Sequence, residues 1–147
     1  MLKGVPPLVS AELMHALMSM GHGDEIVLAD GNFPAAACAQ RLVVLPGHGV
    51  PPVLEAILRF LPLDTYVEDS AVVMAAVPGD STVPVIWNEY RRLLAATEGR
   101  DVALTEMKRM AFYERARQAF AIVATSEPAL YGNLILKTGV VKERESV

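Results

Sequence analysis

What most constrains this chain is a series of short, almost unbroken apolar runs separated by segments with helical spacing. Residues 25–29 (Glu-Ile-Val-Leu-Ala), 41–45 (Arg-Leu-Val-Val-Leu), 72–77 (Val-Val-Met-Ala-Ala-Val), 121–125 (Ala-Ile-Val-Ala-Thr) and 133–137 (Asn-Leu-Ile-Leu-Lys) are too short for buried helices and rich in β-favouring side chains. A weaker run at 102–104 is a further short strand. Because the runs do not alternate with polar residues, each strand is expected to be covered on both faces, as in sheets sandwiched between helices.

The intervening segments supply those helices. Ser10 suits an N-cap, and Leu13, Met14, Leu17 and Met18 recur at helical spacing before Gly21, predicting a helix over 11–20. Pro51-Pro52 opens a second, with Val53, Leu54, Ile57, Leu58 and Leu61 on one face, since proline is tolerated where the first N–H groups lack partners. Residues 84–96 and 109–119 are two more. The alternation predicts an α/β protein, a single three-layer α/β/α domain over residues 1–141, followed by a charged tail at 142–147.

Bulk composition narrows the function. With 147 residues there is room for one domain, and 52% hydrophobic against 20% charged residues implies apolar surface hidden between subunits, hence a homo-oligomer. No apolar run approaches the ~20 residues a membrane helix needs, and the amino terminus lacks a signal-peptide core, so a cytoplasmic location is expected. A net charge of −4 without basic clusters argues against nucleic-acid binding. The one cysteine, Cys38, sits in an alanine-rich stretch and suits core packing better than chemistry. No metal-ligand spacing is present.

The densest polar cluster is Gly21-His22-Gly23-Asp24-Glu25, where an imidazole between two glycines can approach a ligand closely, or cap a helix as a solvated turn. His48 and His15 read as turn and helix-surface residues. Asp30 ends a candidate central strand, where ligands collect in open α/β sheets, although an aspartate there also stabilises a turn by itself. Arg109 and Tyr113 are four apart on one helix face and suit sugar hydroxyls; equally, Arg109 could pair with Glu106 or Glu114. Tyr131, Gly132 and Asn133 combine an aromatic plane, a close-approach glycine and an amide, or form a simple turn.

Together, Met1 to Gly4 with Pro6-Pro7-Leu8, the stretches 20–30 and 32–35, Ala111 to Ala116, and Tyr131 to Gly139 resemble the L-fucose mutarotase family, which shares a superfamily with D-ribose pyranase. The resemblance runs to about Val140; Gly31 stands where the family pattern suggests alanine, and the tail is longer and more charged. It implies a Rossmann-like mixed sheet, a ring-shaped homo-oligomer, often a decamer, with pockets shared between chains, and a free monosaccharide, L-fucose, as substrate without cofactor or metal. By the same resemblance His22 is catalytic, and Asp30, Arg109, Tyr131, Gly132 and Asn133 bind substrate.

Anomer exchange requires a proton to leave the anomeric hydroxyl as another reaches the ring oxygen. An imidazole, titrating ordinarily near pH ~6.5, suits that reversible task. A geometric difficulty accompanies it. If residues 22–30 were fully extended, His22 and Asp30 would lie roughly 26 Å apart, so either the turns curl together or a neighbouring subunit completes the pocket. The rival expectations are ribose pyranase activity, a non-catalytic sugar-binding protein and a purely structural ring.

Overall fold

The computed structural model describes residues 1–143; of the expected tail, residues 144–147 lie outside the described residues. In chain order the elements are α1 (Ala11–Ser19), β1 (Glu25–Ala29), α2 (Ala35–Cys38), β2 (Leu42–Leu45), α3 (Val50–Leu58), β3 (Ala71–Met74), α4 (Ile86–Glu98), β4 (Thr105–Met107), α5 (Arg109–Gln118), β5 (Ala121–Thr125) and β6 (Leu134–Lys137). The strands form one mixed sheet in the order β2-β5-β1-β6-β3-β4. Only β6 runs against its neighbours, pairing antiparallel with both β1 and β3, whereas β1–β5, β2–β5 and β3–β4 are parallel.

The sheet separates two apolar layers by the period-2 alternation of its side chains. Ile26 and Leu28 of β1 face α1, α3 and α4, packing with Leu13, Leu54, Ile57, Tyr90 and Leu94. Val27 and Ala29 face α2 and α5, packing with Cys38, Phe112 and Ala116. The three-layer α/β/α expectation is met, and Cys38 is a buried core residue.

Local signals locate several elements closely. Ser10 caps α1 by accepting the Leu13 N–H at 3.1 Å, and Pro51-Pro52 occupy the first turn of α3. The turn after α1 differs in detail: Met20 caps the helix in extended geometry, and Gly23, with φ +88°, makes the reversal instead of Gly21. Two strands also depart from expectation. β2 is an edge strand whose Leu42 and Val44 point outward, 42% and 57% exposed, so it is not covered on both faces. The last strand of the β3–β4 edge forms at 105–107 rather than 102–104, because pairing of Val72 with Thr105 and Val73 with Glu106 selects residues that hydrophobicity alone does not favour. Helix α2, one turn long, is too short for periodicity to reveal.

Candidate functional site

Asp30 follows the last residue of β1, and because β6 is antiparallel, the start of β6 returns to the same end of the sheet. That reversal brings residues a hundred positions apart together: the Asp30 N–H donates to Asn133 Oδ1 at 2.7 Å. Asp30 Oδ1 accepts the Asn32 N–H at 3.0 Å, and the Gly31 N–H donates to the Glu127 carbonyl at 2.8 Å, pinning the turn. Asp30 is buried. Burial pushes its carboxyl above the ordinary value, opposed by backbone N–H groups of Asn32, Gly132 and Phe33 and reinforced by the nearby Glu127 carboxylate.

Helix α5 supplies the opposite wall. Arg109, its first residue, donates from Nε to Tyr113 Oη at 3.3 Å, and its guanidinium carbon lies 5.4 Å from the Tyr113 ring centroid. Neither Glu106 nor Glu114 is its ion-pair partner; Glu114 pairs with Arg117. A cation at a helix N-terminus opposes the macrodipole, a local rule more often broken at functional sites than elsewhere. Phe33, 5.4 Å from the Tyr113 ring, extends the aromatic wall.

These groups line one open cavity of about 290 Å³, bounded by Asp30, Asn32, Phe33, Arg109, Tyr113, Tyr131 and Asn133, with Met74, Val77, Asp80 and Leu130 at its sides. Gly132 lies beneath it: a Cβ there would meet the Ala129 carbonyl at 3.1 Å and Asp30 Cβ at 3.4 Å, so a side chain would crowd the floor. The residues expected from the resemblance to bind substrate, Asp30, Arg109, Tyr131, Gly132 and Asn133, thus share one end of the sheet.

His22 does not join them. It lies in the turn before β1, at the opposite end of the strand, and the five residues of β1 alone separate it from Asp30 by roughly 16 Å. Its side chain is about half exposed, and Nε2 lies 3.3 Å from Oδ1 of the buried Asp64. Asp64 also accepts the Tyr66 N–H at 3.0 Å. That bond, followed by His22, holds its carboxyl below the ordinary aspartate value against the effect of burial. The Tyr66 ring lies 5.5 Å from the imidazole. A second cavity of about 450 Å³ adjoins His22, lined mainly by Met14, Met18, Met20, Phe60 and Leu61.

The acids beside His22 in the sequence, Asp24 and Glu25, both point elsewhere. Asp24 accepts the Gly21 N–H, and Glu25 binds Arg115. The imidazole's carboxylate, Asp64, is 42 residues away, with no local spacing to announce it. Asp80 and Glu127 were missed for the same reason. Among the described residues no three His, Cys, Asp or Glu side chains are gathered as a metal site, and no helix is long and apolar enough to cross a membrane.

Residues 3–141 match the model of the family described as the RbsD / FucU transport protein family. The chain belongs to that family. Its RbsD / FucU relatives include the human fucose mutarotase, 53% identical with 95% of this chain and 94% of that protein covered. The Histophilus somni L-fucose mutarotase is 43% identical, with 95% and 97% covered. Among solved RbsD / FucU structures, the Streptococcus pneumoniae fucose mutarotase in complex with L-fucose is 48% identical, with a TM-score of 0.91 over 96% of this chain and 100% of that one. FucU from Bifidobacterium longum is 44% identical, with a TM-score of 0.92 over 95% and 100%.

Proposed function

We propose that this protein is an L-fucose mutarotase, an isomerase that interconverts the α and β anomers of the free sugar. The observation that carries the reading is the convergence, at one end of the sheet, of a buried carboxylate, a guanidinium, an amide and three aromatic rings around an open cavity. Such a set fits a monosaccharide: Asp30 and Asn133 address ring hydroxyls, Arg109 supplies charged donors, and Tyr131 covers an apolar sugar face. The likeness to an L-fucose-bound relative supports the identity of the sugar.

In the reaction a base takes the proton of the anomeric hydroxyl while an acid protonates the ring oxygen. The C1–O5 bond breaks, the aldehyde forms, rotation about C1–C2 turns its other face, and the steps reverse. His22 is our proton carrier. Since it lies a strand's length from its own chain's cavity, it serves the cavity of a neighbouring copy, so assembly is a condition of activity. Exposed Met18, Tyr66 and Val141 near His22, and exposed Val77 and Leu130 at the sugar cavity, support a head-to-tail contact between the two ends. We read residues 1–141 as the functional unit, the closed assembly as a decameric ring, and its location as the cytoplasm.

Saturation-transfer NMR on L-fucose, with wild-type and His22→Ala protein, tests the reading, and D-ribose is run beside it because the same open aldehyde leads to pyranose–furanose exchange. Wild type should speed anomer exchange, and the variant should lose about 10²–10⁴-fold. Saturable fucose binding by wild type without faster exchange would leave a binding protein and remove the enzyme. Undiminished exchange in the variant would remove His22 from the chemistry.

A further inference from the structure

Tyr131 stands in the cavity wall in a conformation its own residue type disfavours, with φ +58°, the one non-glycine residue among those described with positive φ. What holds it there comes from a different part of the chain. Past Met74 the backbone leaves the sheet and passes Val77 and Asp80 at the cavity's side on its way to α4, and this connection and α4 each make two bonds to residues 131–132. The Val77 N–H donates to Tyr131 Oη at 3.3 Å, and Tyr131 Oη donates to Asp80 Oδ2 at 2.5 Å. The Trp87 indole N–H donates to the Tyr131 carbonyl at 2.9 Å, and the Tyr90 hydroxyl to the Gly132 carbonyl at 2.6 Å.

The last two bonds fix the backbone of the turn; the first two fix where the phenol ring points. The hydroxyl of Tyr131 is thereby occupied as donor and acceptor, so what it presents to the cavity is the ring face. Asp80 is likewise committed: Oδ1 accepts both the N–H and the hydroxyl of Thr82, at 2.9 and 2.5 Å, and Oδ2 takes the phenol. A carboxylate with both oxygens engaged inside the protein is oriented by its neighbours and has little capacity left for a sugar hydroxyl. The hydrogen bond to Asp80 also raises the phenol above its ordinary range, against the opposing Val77 N–H, so the hydroxyl keeps its proton and remains a donor.

We propose that Asp80 is a positioning residue for the sugar site, which holds the Tyr131 ring against the cavity by anchoring its hydroxyl beside the Val77 backbone. Asp80 touches the ligand only through Tyr131, so it acts on how well the sugar is held, and the proton transfers proceed without it. The inference rests on the mutarotase reading.

Its test is the concentration dependence of L-fucose anomer exchange in wild type, Asp80→Asn, Tyr131→Phe and the double variant, with thermal melting of each. Asp80→Asn and Tyr131→Phe should each raise KM about five- to tenfold with kcat within about twofold, and the double variant should be no worse than either single one, because both break the same bond. Hydrogen exchange without sugar should show the Val77 amide losing protection in both single variants. A wild type that does not accelerate exchange sinks the mutarotase reading. An active wild type with unchanged KM in Asp80→Asn, multiplied effects in the double variant, or a kcat that falls with the folded fraction at constant KM sinks the Asp80 inference alone.

Discussion

Asp30 and Asn133 are joined across the antiparallel β1–β6 pair by a bond from the Asp30 backbone N–H to Asn133 Oδ1, buried at both ends. The amide side chain therefore does two things at once: it satisfies a strand-end donor and fixes the turn that carries the carboxylate.

Removing it should cost both. Asn133→Ala leaves the Asp30 N–H without a partner, a loss of about 1–3 kcal/mol, and allows the Asp30 turn to drift. Urea unfolding should shift to a lower midpoint with unchanged slope, and the KM for L-fucose should rise. A variant as stable as wild type would show that water replaces the amide.

Asp30 itself is held at the expense of stability. Its folded-state proton affinity is raised by burial, so its contribution to stability is present below the unfolded carboxyl value and is lost as the pH rises through the folded one. At neutral pH the ionised group is a burden. Asp30→Asn should therefore melt higher than wild type at pH 7, with the difference shrinking toward pH 3, while sugar binding falls. Melting curves across that range, beside fucose titrations, check both halves.

The separation of His22 from Asp30 within one chain predicts complementation. His22→Ala and Asp30→Ala proteins, each inactive alone, should recover activity when unfolded together and refolded as mixed assemblies. At equal amounts, about one quarter of head-to-tail contacts would pair an intact His22 with an intact Asp30. Exchange rates no higher than the sum of the two variants would mean that no site is shared.

Arg115 of α5 ties that helix to β1 and to the segment that leads into β3. Its guanidinium donates to both Glu25 oxygens, at 3.0–3.1 Å from Nε, and to Asp69 Oδ2 at 2.8 Å, with the Arg115 and Glu25 side chains about 15% exposed. Arg115→Met should destabilise the protein by about 2–4 kcal/mol, since it leaves two carboxylates without their cation. Lysine should restore only part, lacking the fork that spans both. Chemical denaturation of the two variants measures the difference.

Much of the architecture was legible locally. The sequence marks 25–29 and 121–125 as strands with the bounds the structure shows, because an unbroken apolar run of that length has few other uses. β4 was misplaced because an edge strand with the pattern Thr-Glu-Met is chosen by its partner, not by its own hydrophobicity. Asp30, Arg109, Tyr113, Tyr131 and Asn133 are legible in the sequence as candidate ligand-binding groups, yet the acids nearest His22 in the chain, Asp24 and Glu25, turn elsewhere, and its partner is the distant Asp64. Asp80 carried no local signal at all.

The sequence by itself determined the element types, the two-sided burial of the central strands and the inventory of polar groups, since these depend on side-chain period, caps and turn residues within a few positions. Only the tertiary structure decided which of those groups meet. The single reversed strand β6 carries Tyr131 to Asn133 to the Asp30 end and Thr138 to the His22 end. Strand order and direction follow from the burial of the whole sheet between its helices, a sum over distant contacts that no local window contains.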